Sequence, residues 1–289
     1  MRFGFIGSYG TPAEHVRLAR ECEEHGWDGF FTWDGVSLDA EGFDAHPTWD
    51  PFSLLAAAAA VTERISLGAM VFAVPRRRPW ELAQQALTID HLSGGRLVLP
   101  VGVGVDIDRA FTSVGGQPRT LRDRARAMDE VLAWLERSWS GAPFEHDGEH
   151  VRTGTFQLPQ PPVNGRIPVW PVAVWDAERP PRRSLDRALR WDGIVPQVRG
   201  ESPEDAEAGP DAVRDLVAWI AEQRGTDGAG KPFDVVVQGR LDADPAVAAE
   251  QARTMADAGA TWWLESWWDP TNVTADFLLE RVRQGPPPA

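Results

Sequence analysis

Short apolar, β-branched or aromatic runs alternate with segments of helical period along the whole chain, and this alternation limits the fold more than any other feature. The runs are residues 2–7, 27–33, 65–71, 96–101, 167–174, 192–195, 233–237 and 261–265. The helical segments between and after them are 12–25, 51–62, 79–92, 121–139, 182–190, 210–224, 245–258 and 272–283, and several open at Pro, a favoured residue of the first helical turn. Eight strand-helix units in strict order predict an α/β protein, a (β/α)8 TIM barrel. Runs such as Arg96-Leu-Val-Leu-Pro-Val101 are apolar on both faces, as a parallel sheet buried on both sides requires. A doubly wound open sheet also alternates strand and helix. The 289 residues, however, match a closed barrel of roughly 250 residues with modest insertions. The predicted organisation is one domain over 1–289 with an insertion at about 140–166, where a hairpin turns at Asp147-Gly148.

Charge and cysteine content narrow the partners. With 29 basic and 43 acidic residues the formal net charge is −14, which argues against nucleic acid as a partner. Runs without a polar side chain, such as 54–61, are far shorter than the ~20 apolar residues of a membrane-spanning helix, so no membrane role is expected. The first residues read as a strand and not as a secretory leader, and the lone Cys22 forms no internal disulfide; both fit a cytoplasmic setting.

In a parallel barrel the reacting groups belong at the carboxyl ends of the strands. These are Ser8 and Tyr9 after the first strand, then Trp33, Asp34, His46 and Trp49 after the second. The third and fourth deliver Val71, Phe72, Arg76-Arg-Arg78 and Gly102-Val-Gly-Val-Asp106. The later strands deliver Val174-Trp175, Gln197, Gln238-Gly-Arg240, Glu265 and Trp267-Trp268. H-E-x-x-H, G-x-x-x-x-G-K-[ST] and G-x-S-x-G are all missing, and one cysteine with scattered histidines makes a metal site improbable. An aromatic, glycine-rich mouth in a chain with 14 Trp residues suits a flat ring. Tyr9, Trp33, Trp49, Asp106, Trp175, Gln197 and Trp267 form the expected substrate pocket, for a small hydrophobic or aromatic molecule. Asp34, Asp106 and Glu265 across one mouth also describe a glycoside hydrolase, a reading that no family resemblance supports.

The stretch Leu67-Gly-Ala-Met-Val-Phe-Ala-Val-Pro-Arg-Arg-Arg-Pro-Trp-Glu-Leu-Ala83, followed by Thr88-Ile-Asp-His-Leu-Ser-Gly-Gly-Arg-Leu97, resembles the bacterial luciferase-like family of flavin- or deazaflavin-dependent oxidoreductases. Glu24-His-Gly-Trp-Asp-Gly-Phe-Phe-Thr-Trp-Asp34, Val101-Gly-Val-Gly104 and Gly259-Ala-Thr-Trp-Trp-Leu-Glu265 support the resemblance, which runs through the chain. It implies a barrel, a homodimer, and either coenzyme F420 for hydride transfer or FMN for monooxygenation. The Pro-Arg-Arg-Arg-Pro-Trp loop is more similar to the F420 branch. The resemblance further implies a bulge in strand three, often with a non-proline cis peptide, pressing on the cofactor at Met70, Val71 and Phe72. Ser8, Arg76, Gly102, Val103, Gly104, Val172, Ala173 and Val174 complete the expected cofactor site, with Arg76 toward an anionic tail. The alternative for residues 76–78 is a solvated charge run opening a helix at Pro79.

Three departures stand beside the matches. Members that use F420 commonly carry His directly after the Asp that ends strand two, and here Gly35 follows Asp34. The glycine pair that ends strand five in the family is replaced by Val172-Ala-Val174, and Pro100 interrupts strand four. The expected catalytic groups are Asp34, His46 as a relocated acid, and Glu265. A barrel that has lost its cofactor and acts as a binding protein or another enzyme is the remaining alternative.

Overall fold

The computed structural model describes residues 1–43, 46–199, 208–228 and 230–288. In chain order the elements are β1 (Arg2–Ile6), α1 (Pro12–Glu24), β2 (Gly29–Thr32), α2 (Pro51–Ala59), β3 (Ser66–Ala69), β4 (Phe72–Ala73), α3 (Pro79–Ser93) and β5 (Leu99–Gly102). They continue with α4 (Arg109–Thr112), α5 (Leu121–Ser138), β6 (Phe144–Asp147), β7 (Arg152–Phe156), β8 (Val169–Trp175) and α6 (Arg182–Leu189). The last are β9 (Gly193–Val198), α7 (Pro210–Gly228), β10 (Asp234–Gly239), α8 (Pro245–Ala258), β11 (Trp262–Glu265) and α9 (Ala275–Gln284). Local sequence sets the helix starts. Pro12 follows Thr11, whose hydroxyl and Glu14 form a reciprocal capping box, and Asp50, Thr120, Asp244 and Thr274 accept backbone N–H bonds at other helix entries.

The large sheet runs β3-β2-β1-β11-β10-β9-β8-β5-β4, and its strand pairs are parallel. β3 and β4 are halves of one strand broken at the Met70–Val71 peptide, which is cis. Leu67 bridges Leu97 of the neighbouring strand, so the circuit closes as an eight-stranded barrel and the fold expected from the alternation is the one found. β5 runs through Pro100, which pairs in register with Trp170.

Aromatic side chains fill the axis. Phe31, Trp170 and Trp262 lie with ring centroids 5.6 to 6.2 Å apart, and Ile6, Val98, Val195, Val236 and Leu264 surround them. Two glycines explain how so large a cluster fits. A Cβ at Gly4 would stand 2.7 Å from the Phe31 ring, and one at Gly68 2.9 Å from it. Trp262 is therefore an interior residue, whereas its neighbour Trp263 packs outward. The insertion is the expected antiparallel hairpin, with Asp147 opposite Arg152. Trp134 of α5 sits between Phe144 and Phe156, each 5.0 Å away, and so anchors the hairpin.

Candidate active site

Side chains alternate along a strand, so the interior residues predict which later residues reach the mouth. Val195 is interior and Gln197 follows it by two; Val236 and Gln238 stand in the same relation. On β8, Trp170 and Val172 face inward and Val174 continues the row, whereas Ala173 and Trp175 pack outward under the helices. Ala173, expected in the cofactor site, therefore turns its side chain away from the mouth, and Trp175, expected in the pocket, rests on Trp219 of α7 at 5.9 Å. At the cis peptide the alternation slips. Met70 and Val71 both pack on the interior cluster, and Phe72 turns outward to stack on Phe52 at 4.7 Å. Gly102 faces this bulge, since a Cβ there would stand 2.7 Å from the Val71 side chain. Val103 packs outward, and Gly104, in the left-handed region at φ 76°, leaves room for the Phe111 ring, from which an added Cβ would stand 2.2 Å.

Asp34 ends β2 as a buried anion. Its side chain is 1% exposed and accepts from the Ala73 amide at 2.9 Å, from Arg77 at 2.6 and 3.2 Å, and from Arg76. Arg76, 7% exposed, reaches Asp108 at 2.8 Å with its other terminal nitrogen. Asp108 in turn caps α4 and accepts from the Ser37 amide at 3.2 Å. Arg76 is therefore held by two carboxylates, which corrects its expected role as the anchor of an anionic tail. The missed feature is that positions 76 and 77 answer a carboxylate about forty residues earlier. An Asp at a strand end followed in the next loop by an arginine run was the available signal.

Beside Asp34, the Trp33 indole occupies the space a side chain at position 35 would need. An added Cβ at Gly35 would lie 2.4 Å from the Trp33 ring. Trp33 donates to the Ser8 carbonyl at 2.6 Å and meets Trp268 edge-on at 6.4 Å. Trp268 packs on the interior cluster, so it is the strand-eight tryptophan at the mouth. Trp267, the one expected there, turns outward to Phe277 at 4.9 Å; counting by twos from Leu264 distinguishes the two. Ser8 is buried, its hydroxyl donating to the Trp267 carbonyl at 2.6 Å. Tyr9 is buried too, donating to the Trp268 carbonyl at 3.0 Å, and burial followed by the charge of Asp269 pushes its pKa well up. The His46 ring lies 4.7 Å from that of Tyr9 at a tilt of 43°, and its Nε2 lies 2.6 Å from the Pro270 carbonyl, a contact that requires the proton on Nε2.

Glu265 is 0% exposed and faces outward. It accepts from the Leu241 amide at 2.9 Å, from the indoles of Trp267 at 2.9 Å and Trp263 at 3.3 Å, and from Arg281 at 3.0 Å. This stands against the expectation of a catalytic Glu265: a carboxylate so occupied braces the loop that follows β11. Asp106 is exposed and holds the buried Arg124, away from the other pocket residues. Trp49 donates to the Gly10 carbonyl at 2.8 Å and walls a cavity of about 530 Å³ beside the mouth, with Gly35, Arg77 and Leu82. Among the described residues no group of three His, Cys, Asp or Glu could hold a metal ion, and no helix is long and apolar enough to cross a membrane.

Val71, Val172, Val174, Trp33 and Trp268, with the two glutamines, thus form an apolar rim with few polar anchors, which fits a flat uncharged ring. Exposed cations on this side include Arg199, 3.4 Å from Asp176, and Arg240, which lies 5.2 Å over the Trp267 ring.

Comparison with known proteins agrees with this architecture. The luciferase-like monooxygenase family model matches residues 2–276. An uncharacterised protein of Mycobacterium tuberculosis is 33% identical over 173 residues, covering 55% of this chain and 59% of that protein, less than two thirds of its length. A protein of Nocardia farcinica named F420-dependent glucose-6-phosphate dehydrogenase is 27% identical over 270 residues, 92% of this chain and 72% of that one. Among solved structures, the coenzyme F420 dependent tetrahydromethanopterin reductase of Methanopyrus kandleri superposes with a TM-score of 0.73 at 17% identity, over 99% of this chain and 98% of that one. A monooxygenase of Streptomyces bottropensis gives 0.76 at 17% identity over 98% and 97%. With the barrel, the interrupted third strand and the family model in agreement over nearly its whole length, the chain belongs to the luciferase-like monooxygenase family.

Proposed function

We propose that this protein transfers hydride between coenzyme F420 and a small hydrophobic or aromatic organic molecule. The observation that carries the reading is the bulge at Met70–Val71, where two successive side chains pack on the interior cluster beneath an apolar rim. The F420-dependent name of the Nocardia relative supports it. Bound there, the deazaflavin would supply a two-electron hydride donor or acceptor. Met70 and Val71 would back its ring, Val172 and Val174 would line one side, and Gln197 and Gln238 would offer amides to its polar edge. The exposed Arg199 and Arg240 would meet the anionic tail in place of Arg76.

Hydride transfer to an unsaturated centre also requires a proton, and a positioned acid typically supplies ~10²–10⁴-fold in rate. Asp34 and Glu265 are buried and fully bonded, and Tyr9 is held protonated, so of the three expected catalytic residues His46 is the one assigned as the acid. The reading includes a homodimer, which sedimentation would establish.

The test is titration of the purified protein with F420 and separately with FMN, followed by fluorescence and visible absorbance. Saturable micromolar binding of F420 is expected. Binding of FMN alone would make the protein a flavin monooxygenase of the same family, and binding of neither would refute both cofactor readings.

A further inference from the structure

We propose that Asp34 is a positioning residue: through the Ala73 amide it sets the bulge that backs the cofactor ring. This rests on the reading of the mouth as a deazaflavin site. The Asp34 side chain is 1% exposed and its oxygens are taken by Ala73, Arg76 and Arg77, so its effect on chemistry passes through these partners.

The bulge is held at both ends by one stretch of the neighbouring strand. The Met70 amide donates to the Thr32 carbonyl at 2.7 Å, and the Ala73 amide donates to Asp34 Oδ2 at 2.9 Å. Thr32 continues the ordinary ladder; past the slip that ladder has no backbone acceptor for Ala73, and a side chain two residues on from Thr32 takes its place. Val71 lies between the anchors and faces inward, while Phe72 is fixed outward on Phe52. A carboxylate accepts a stronger bond than a carbonyl does, but its burial must be offset by cations. Arg76 and Arg77 meet that need from the turn that follows Ala73, so residues 73–77 hook back around the carboxylate. Asp108 then ties Arg76 to the loop after β5. The arginine run is accordingly the counter-charge of the clamp.

Hydrogen exchange of the full-length protein, read at the Ala73 amide, together with F420 titration tests the assignment in Asp34→Asn and Arg77→Gln. The Asn variant keeps the shape and removes the charge. Expected are exchange at Ala73 faster by about tenfold or more, unchanged exchange in β10, a Kd for F420 raised about tenfold, and a displaced absorbance band of bound F420. Arg77→Gln leaves the Asp34–Arg76 pair in place and is expected to move the same readouts in the same direction by less; it decides the matter if the Asn variant does not fold. Unchanged exchange at Ala73 in the folded variants overturns the clamp. Faster exchange with unaltered F420 affinity and spectrum overturns the positioning role alone. A wild-type protein that binds no F420 overturns this role together with the function it serves, and that failure is visible before any variant is made.

Discussion

A histidine placed at position 35 meets the Trp33 indole before it meets any ligand. The added Cβ would stand 2.4 Å from one ring carbon of Trp33 and 3.1 Å from another, with Leu38 at 3.4 Å. Trp33 must swing away, giving up its 2.6 Å bond to the Ser8 carbonyl and its edge contact with Trp268. A lost hydrogen bond is worth ~1 kcal/mol and an aromatic pair ~0.5–1.5 kcal/mol, and overpacking costs ~1–3 kcal/mol where nothing can yield. Because Trp33 is only half-buried and can yield, Gly35→His is expected to destabilise by about 2 kcal/mol. Trp33→Ser forfeits the same bond and contact at a similar cost, so Gly35→His should cost almost nothing on that background. The assay is a double-mutant cycle by urea unfolding. The predicted coupling is about 2 kcal/mol; two effects that add within ~0.5 kcal/mol would refute the steric argument. If the rest of the site is intact, the double variant should also gain F420-linked turnover over Trp33→Ser.

Trp175→Ala removes an outward core side chain and is expected to cost ~3–5 kcal/mol with ligand affinity retained, whereas Gln197→Ala should weaken F420 binding with stability changed by less than ~0.5 kcal/mol; calorimetry and titration together separate the two. Glu265→Gln takes the charge from a buried pair with Arg281 and is expected to cost ~3–5 kcal/mol without moving the pH profile of turnover; lost turnover at full stability would restore a catalytic Glu265. His15 is buried beside Gly7, and burial lowers its pKa to about 4 from 6.5. The unfolded chain therefore binds the proton first, so stability falls as pH drops from about 6.5 to about 4, by up to ~3 kcal/mol. Unfolding of His15→Gln followed against pH should lack that slope.

The fold was legible because its signals are local. Pro at the helix entries, Thr11 with Glu14, and Asp147-Gly148 act within a few residues, and the eight apolar runs are each long enough to be recognised without their partners. The site was legible only as far as alternation from a known interior residue can be carried. Counting from Leu264 selects Trp268 over Trp267, and counting from Val172 selects Val174 over Trp175, but that count needs the interior face, which Gly4, Gly68 and Phe31 disclose only once they are seen to meet. At Met70–Val71 counting fails altogether, because two neighbours share a face and Phe72 lands on the other one. Family resemblance located that slip where periodicity could not.

The same limit explains the charged residues. Asp34 and Glu265 sit at strand ends, where chemistry is expected, but a carboxylate's role depends on what bonds to it. The bonding groups here are Arg76, Arg77 and Arg281, on other elements. Once those pairs are counted, the acids at the ends of β2 and β11 are braces, and the rim they hold is apolar. Such a rim can orient a ring by contact but has nothing of its own to give or take a proton. On the proposed reading the proton is therefore sought outside that rim, at His46 between β2 and α2, whose Nε2 lies 2.6 Å from the Pro270 carbonyl.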